Sequence, residues 1–126
     1  MLMSDEEVTL GSAKTLVATF CGQRDWDRYH GPKDLAIGIS TEASELLEIF
    51  RFKSESEVAR LVKNSGARGR MGEELADVLY FVLRFAQMYE FDLSDELKNK
   101  LTLNETKYPV SRSKGSNKKY TELNGA

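Results

Sequence analysis

Two stretches of the sequence combine the spacing of a buried helix face with carboxylate side chains, and this combination restricts what the chain can fold into. In the first, apolar residues recur at steps of four, seven and three, the period of one helix face: Leu35, Ile39, Leu46 and Ile49. Glu42 falls on this stripe, and Glu45 lies one turn further on, at its flank. In the second stretch, GEELADVLYFVLRFA, Glu74 and Asp77 repeat the three-residue step.

These four acids predict a metal site. Burying an unpaired carboxylate costs on the order of several kcal/mol, so a positive group has to compensate it. Neither run offers matching lysines, which leaves a metal ion, and ligands that are all oxygen favour Mg²⁺ or Mn²⁺ over zinc or copper. A single E-x-x-E step is also common on solvated helix faces, and that interpretation stays open. A di-iron bundle is excluded, because no histidine follows any of the acids.

Length, cysteine content and hydropathy limit the class of protein. A chain of 126 residues suffices for one domain with a modest core. The single cysteine, Cys21, excludes an internal disulfide and a cysteine-based zinc site, and is typical of a reducing compartment. No apolar run approaches the roughly 20 residues that span a bilayer, and the acidic start MLMSDEEV does not resemble a signal peptide. We therefore expect a cytoplasmic protein without membrane contact.

The net charge of −2 is unevenly distributed along the chain. The stretch from Lys107 to Lys119 carries five basic residues and no acids, and removing these five leaves 13 basic against 20 acidic residues, or −7. This distribution argues against a general nucleic-acid surface and suits a body that binds cations. We divide the chain into a domain over residues 1–109 and a basic C-terminal tail over residues 110–126. The tail either touches anions or is simply solvated.

The periodicity predicts an all-α protein, a four-helix bundle plus one short helix. Capping boxes at Ser4 with Glu7 and at Ser54 with Glu57 open the first helix and the short third one. No segment alternates with the period of a strand. The unbroken apolar run Val78–Leu83 predicts cover on most sides, one source of which is another subunit. The predicted helices cover about residues 4–24, 33–50, 54–63, 70–90 and 92–107.

The acidic pattern resembles a known family. Glu42-x-x-Glu45 followed by Glu74-x-x-Asp77 is similar to the metal motif of the MazG-type nucleotide pyrophosphohydrolases, the all-α NTP pyrophosphatases. Three further motifs resemble the small dCTP pyrophosphatase branch of that family, and the likeness covers about residues 14–123. They are Phe20-x5-Trp26-x3-His30-x-Pro32, Asn104-x2-Lys107-Tyr108-Pro109 and Lys118-Lys119-Tyr120-Thr121-Glu122-Leu123.

The resemblance implies a Mg²⁺-dependent enzyme that hydrolyses a ribo- or deoxynucleoside triphosphate to the monophosphate and pyrophosphate, and dCTP or a modified dCTP is the expected substrate. It assigns all four acids to metal binding and catalysis, and we select Glu45 to orient the attacking water. It also implies a homodimer or homotetramer that binds no nucleic-acid polymer. The substrate contacts that it implies lie around the base and at the phosphates or sugar: Trp26, His30, Phe52 and Phe81, then Lys100, Asn104, Lys107 and Tyr108.

Simpler interpretations of the implied contacts stay open. Trp26 could equally be a packing anchor, a lone histidine such as His30 is more often structural, and lysines favour helix C-termini for electrostatic reasons. The chain also departs from the branch: Phe52 and Phe81 stand where tryptophan and tyrosine are frequent, and Val17 where some members have histidine. Pyrophosphatase activity is therefore a firmer expectation than cytosine preference. A non-catalytic helical adaptor that binds a protein partner is the alternative.

Overall fold

The computed structural model describes residues 3–123, and within them the chain is helical without any strand. The all-α prediction is therefore confirmed. The elements in chain order are α1 (Leu10–Gly22), a 3₁₀ turn (Asp27–Tyr29), α2 (Pro32–Glu48), α3 (Glu55–Leu61), α4 (Ser65–Met88), α5 (Leu93–Lys107), α6 (Val110–Ser113) and α7 (Tyr120–Leu123). The chain divides into two compact units, Met1–Phe91 and Asp92–Ala126. The first unit holds α1 to α4, and the second holds α5 to α7.

The first helix begins later than its sequence suggested. Its N-cap is Thr9, whose side chain accepts from the Ser12 amide at 3.0 Å, while the Ser12 hydroxyl accepts from the Thr9 amide at 3.0 Å. The predicted capping box at Ser4 is wrong: the Ser4 carbonyl only closes an isolated turn by accepting from the Glu7 amide at 3.0 Å. Because Thr9 and Ser12 satisfy each other's backbone groups reciprocally, the helix starts there instead.

Two predictions about the start of α3 and α4 have opposite outcomes. The capping box of Ser54 with Glu57 is confirmed. The expectation that Asn64 to Gly66 merely ends α3, with α4 starting near Arg70, is wrong. The Asn64 side chain accepts from the Ala67 amide at 2.9 Å, so it caps a helix that begins at Ser65.

The early start of α4 contributes to the core of the first unit. Ala67 and Met71, on its first turns, are buried together with Ile49 from the end of α2. Leu46, Phe50 and Leu61 pack around this cluster. Burial of Leu35 and Ile49 confirms the apolar stripe predicted on α2. Because the apolar stripe packs against α4, the face of α2 that carries it lies toward α4, and Glu42 is on that face.

Helix α4 packs against both α1 and α2, and it comes close to α2 at Gly38. A Cβ atom at Gly38 would lie 2.5, 2.6 and 2.7 Å from three carbons of the Phe81 ring. The absence of a side chain at Gly38 therefore sets how closely the two acidic helices approach. Across residues 3–123, no helix combines the length and hydropathy that crossing a bilayer requires.

We predict that Gly38→Ala destabilises the protein although alanine favours helices. The gain in helix propensity is about 1 kcal/mol, whereas overpacking a core costs about 1–3 kcal/mol, so a net loss of up to about 2 kcal/mol is expected. Urea unfolding followed by circular dichroism measures it. The control is Gly69→Ala in α4, where an added Cβ meets nothing within 4 Å. That variant should be unchanged or more stable, and equal effects in both variants would contradict the close approach.

Candidate active site

Helices α2 and α4 bring three of the four predicted acids to one place. Glu42, Glu45 and Glu74 each offer a carboxylate oxygen, and these oxygens all lie within 4.8 Å of one another. Glu42 and Glu45 are three residues apart on α2, so they project from neighbouring turns toward Glu74 on the facing helix. The cluster follows from the helical spacing and from the packing of α2 on α4.

Asp77, the fourth predicted acid, acts on the cluster through its charge. It lies one turn after Glu74 and is exposed, and it is not part of the group of converging oxygens. Its negative charge nevertheless raises the pKa values of both Glu42 and Glu74. Asp77 therefore stands at the border of the cluster.

Two carboxylate oxygens in the cluster lack hydrogen-bond partners. Within residues 3–123, Oε2 of Glu42 and Oε2 of Glu74 are buried and accept no hydrogen bond. An unsatisfied buried acceptor forfeits the hydrogen bonds that it made to water, and this loss is larger when the group is charged. A cation between the two helices would compensate both oxygens.

The pKa values report the same lack of compensation. Burial, followed by the charges of Glu45 and Asp77, raises the pKa of Glu42 from 4.5 to about 7. Burial and the neighbouring Glu45 likewise raise the pKa of Glu74. Crowded carboxylates disfavour one another's ionised forms, and a bound cation reverses this by favouring them.

The donor set fits a divalent metal ion. The three converging ligands are carboxylates, two of them with unsatisfied oxygens, and such hard oxygen ligands suit hard divalent cations. The cluster of Glu42, Glu45 and Glu74 could therefore hold such an ion. No histidine or cysteine belongs to this group in the described part of the chain.

The predicted aromatic and histidine contacts of the first unit lie in three places. Trp26 has its ring edge-on to Phe20, with centroids 5.7 Å apart, and to His30 at 6.2 Å. Phe81 is half-buried and packs against Gly38. Phe52, in contrast, is 91% exposed at the end of α2, beneath the Arg51 guanidinium.

The four remaining predicted contacts belong to the second unit. Lys100, Asn104 and Lys107 follow one another at helical spacing along α5, and Tyr108 is its C-cap. The Lys107 ammonium lies 4.9 Å from the centroid of the Tyr120 ring, and this ring also meets Tyr108 edge-on at 6.1 Å. The short helix α7, in the predicted basic tail, thus packs onto the end of α5.

Sequence reasoning missed Arg84, the one buried charged residue in the described part of the chain. Its Nε donates to Nδ1 of His30 at 2.8 Å, and it also pairs with the Asp27 carboxylate. The available signal was an arginine inside the otherwise apolar part of α4. Its partners could not be read from the sequence, because His30 lies 54 residues earlier.

Comparison with known proteins agrees with this geometry. Residues 37–123 match the MazG-like family. The chain is 36% identical to rat dCTP pyrophosphatase 1 and 33% identical to the human protein of that name, over 93% of this chain and 69% of each relative. A crystal structure of a pyrophosphatase from Archaeoglobus fulgidus superposes with a TM-score of 0.75 at 33% identity, over 86% of this chain and 99% of that one.

The chain belongs to the MazG-like family. The predicted family and the predicted enzyme class, nucleoside triphosphate pyrophosphohydrolase, are therefore confirmed. The structural match also confirms the fold as that of an all-α pyrophosphatase. A non-catalytic adaptor is correspondingly disfavoured.

We predict that the metal-free protein loses stability as the pH rises from about 4.5 to about 7. The lower value is the ordinary pKa of the Glu42 carboxyl, as in the unfolded chain, and the higher value is its pKa in the folded protein. In this range the unfolded chain has released the Glu42 proton while the folded protein retains it, so raising the pH favours unfolding. Urea midpoints measured in a chelator across this range test the slope. Glu42→Gln should flatten it, whereas Glu48→Gln, an exposed change on the same helix, should not. An unchanged slope in Glu42→Gln would contradict the raised pKa.

Proposed function

We propose that this protein hydrolyses deoxynucleoside triphosphates in the presence of Mg²⁺, with dCTP or a modified dCTP as preferred substrate. The products are the nucleoside monophosphate and pyrophosphate. The observation that carries this proposal is the cluster of Glu42, Glu45 and Glu74, whose oxygens converge and, within residues 3–123, include two buried oxygens without a hydrogen-bond partner. The dCTP pyrophosphatases among the relatives, and the motifs shared with that branch, support the choice of substrate.

We assign different roles in the reaction to the acidic residues. We assign Glu42 and Glu74, whose unsatisfied oxygens face the cluster, to metal binding, together with Asp77 at its border. Bound Mg²⁺ supplies charge neutralisation for the triphosphate and polarises its phosphoryl oxygens. Manganese, which prefers the same oxygen ligands, is the alternative ion.

Glu45 is the residue to which we assign orientation of the attacking water. It is the exposed member of the converging group, so water reaches its carboxylate. In the proposed reaction the water oxygen bonds to the α-phosphorus, while the bond from this phosphorus to the bridging oxygen of the β-phosphate breaks. Pyrophosphate leaves with the bonding electron pair, and Glu45 accepts a proton from the water.

Base and phosphate contacts are proposed from the family resemblance. Trp26 and His30 stand beside each other on the connector before α2, and together they offer a stacking surface and a polar edge for the base. Phe52 and Phe81 are the further aromatic contacts. In the second unit we propose phosphate or sugar contacts for the residues with donor groups at the end of α5: Lys100, Asn104, Lys107 and Tyr108.

We further propose that the enzyme acts as a homodimer or homotetramer in the cytoplasm. Large apolar side chains remain exposed on both acidic helices of the first unit, Ile37 and Leu47 on α2 and Leu75 and Leu79 on α4. Exposed apolar surface of this extent favours association with another copy. The predicted cover of the run Val78–Leu83 is incomplete within the described chain, because Leu79 is half exposed.

The activity is tested by measuring pyrophosphate release from dCTP, 5-substituted dCTP, dUTP, dATP and dGTP with Mg²⁺. We expect pyrophosphate rather than orthophosphate, with the highest kcat/KM for a cytosine nucleotide. Chelation should abolish turnover, and Mg²⁺ should restore it. A folded protein that releases no pyrophosphate from any of these nucleotides would refute the proposal.

The roles of the acids are tested by substitution. Glu45→Ala should lower kcat by about 10²- to 10⁴-fold, the usual contribution of a positioned general base. Asp77→Ala should cause a loss of similar size that excess Mg²⁺ partly reverses, because it weakens ion binding. The matched control is Glu48→Ala, which removes an exposed carboxylate paired with Arg51 on the same helix and should leave turnover intact. Full activity in both test variants would show that the metal centre lies elsewhere.

A further inference from the structure

Arg84 is unusual because each of its three guanidinium nitrogens has a partner within the protein. The residue is 1% exposed and lies on α4. Its Nε donates to Nδ1 of His30 at 2.8 Å, its Nη1 donates to the Gln87 side-chain oxygen at 2.6 Å, and its Nη2 pairs with Asp27. A guanidinium stays protonated and only donates, so each of these partners has to be an acceptor.

This requirement determines the tautomer of His30. A ring nitrogen that accepts a hydrogen bond carries no proton, so the neutral imidazole has its proton on Nε2. Burial, followed by the positive charge of Arg84, lowers the pKa of His30 and favours this neutral form, although the charges of Asp27 and Asp34 act in the opposite direction. The ring therefore presents an N–H donor at its Nε2 edge.

The same contacts hold the ring in place beside the tryptophan. The Tyr89 hydroxyl donates to the His30 carbonyl oxygen at 2.8 Å, which anchors the backbone of the connector to the end of α4. The His30 ring meets the Trp26 ring at 62°. Among residues 3–123, no partner within the protein is recorded for His30 Nε2. A donor next to a stacking surface, with its other nitrogen fixed, is suited to a heterocycle with acceptor atoms.

We propose that Arg84 is a positioning residue for substrate recognition: it locks His30 in the Nε2–H tautomer, so that the connector offers an N–H donor beside Trp26 to an acceptor atom of the nucleobase. This inference deepens the proposed function and rests on it. It explains why a charged side chain occupies a buried position that an apolar residue could fill more cheaply. An apolar side chain could pack against the connector, but it could not select a tautomer.

The tautomer can be measured without substrate or activity, because the chain contains a single histidine. In a long-range ¹H–¹⁵N spectrum of the labelled protein at neutral pH, we expect His30 Nδ1 to be unprotonated and Nε2 to be protonated. Arg84→Met should give a mixture of tautomers. Arg60→Met, which removes an exposed arginine from α3, should leave the spectrum unchanged. A wild-type protein with its proton on Nδ1 would overturn the proposal even if the Arg84 variant failed to fold.

Steady-state kinetics distinguish a role of Arg84 in orienting His30 for substrate binding from a role in stabilising the fold alone. Arg84→Met should raise KM for dCTP about three- to tenfold, the effect of losing one hydrogen bond, with kcat within about twofold. His30→Phe keeps a ring beside Trp26 but lacks the donor and should show the same split. In that background Arg84→Met should have no further effect on KM. Additive effects, or losses confined to kcat, would overturn the proposal.

The outcomes for the tautomer and for the proposed function are distinguishable. If wild-type protein shows the expected tautomer but releases no pyrophosphate from any nucleotide, the proposed function fails and the link to the base fails with it. If it is active and the tautomer is the other one, only the role of Arg84 is refuted. The single tryptophan supplies a further readout. Its fluorescence should be quenched by dCTP in the wild type, and half-maximal quenching should need about three- to tenfold more dCTP in Arg84→Met.

Discussion

Repulsion among carboxylates held at close range is the constraint on which the rest of this structure depends. Glu42, Glu45 and Glu74 are brought within 4.8 Å by two helices whose contact is fixed by apolar burial elsewhere along their length. The hydrophobic cluster around Ile49 and Met71 therefore holds the acids in an arrangement that they disfavour themselves. Burial and then the neighbouring acids raise the pKa values of Glu42 and Glu74, and a divalent cation would offset both effects.

The first unit surrounds its acidic cluster and its buried arginine in opposite ways. Among the described residues, two oxygens of the anionic cluster have no hydrogen-bond partner and could accept one from a ligand or bind a cation. Arg84, in contrast, donates hydrogen bonds to acceptors within the protein, so these donors are not available to a ligand. An incompletely satisfied cluster is typical of a place where chemistry occurs, whereas a fully satisfied buried ion organises its surroundings. Helix α4 carries Arg84 and one member of the cluster, Glu74, whereas Glu42 and Glu45 lie on α2.

The sequence was most informative where a signal repeats along a helix. The apolar stripe through Leu35 and Ile49, the capping box at Ser54 and the acidic steps on α2 and α4 are all local patterns, and the structure contains the helices on which they lie. Helix starts were less predictable where two caps compete. Ser4 with Glu7 fits the capping-box pattern better than Thr9 with Ser12, yet the helix starts at the second pair.

Interactions between distant residues could not be predicted. Arg84 meets His30 across 54 residues, and the packing of Tyr120 on Lys107 depends on how the end of the chain turns back. Periodicity carries no information about such pairs. Resemblance to a family supplied the candidate substrate contacts, but not the hydrogen bonds that orient them. The tautomer of a histidine in particular depends on a partner that only the folded chain reveals.

The contact between Gly38 and Phe81 links the nucleotide contact that we propose for Phe81 to helix spacing. The ring of Phe81 occupies the space that any side chain at position 38 would need, so the two positions share one fixed volume. A change of aromatic residue at position 81 cannot be made independently of the distance between the acidic helices. Changing the nucleotide preference through position 81 would therefore require a compensating change of side-chain volume at position 38. A change at one position alone would also shift the carboxylates.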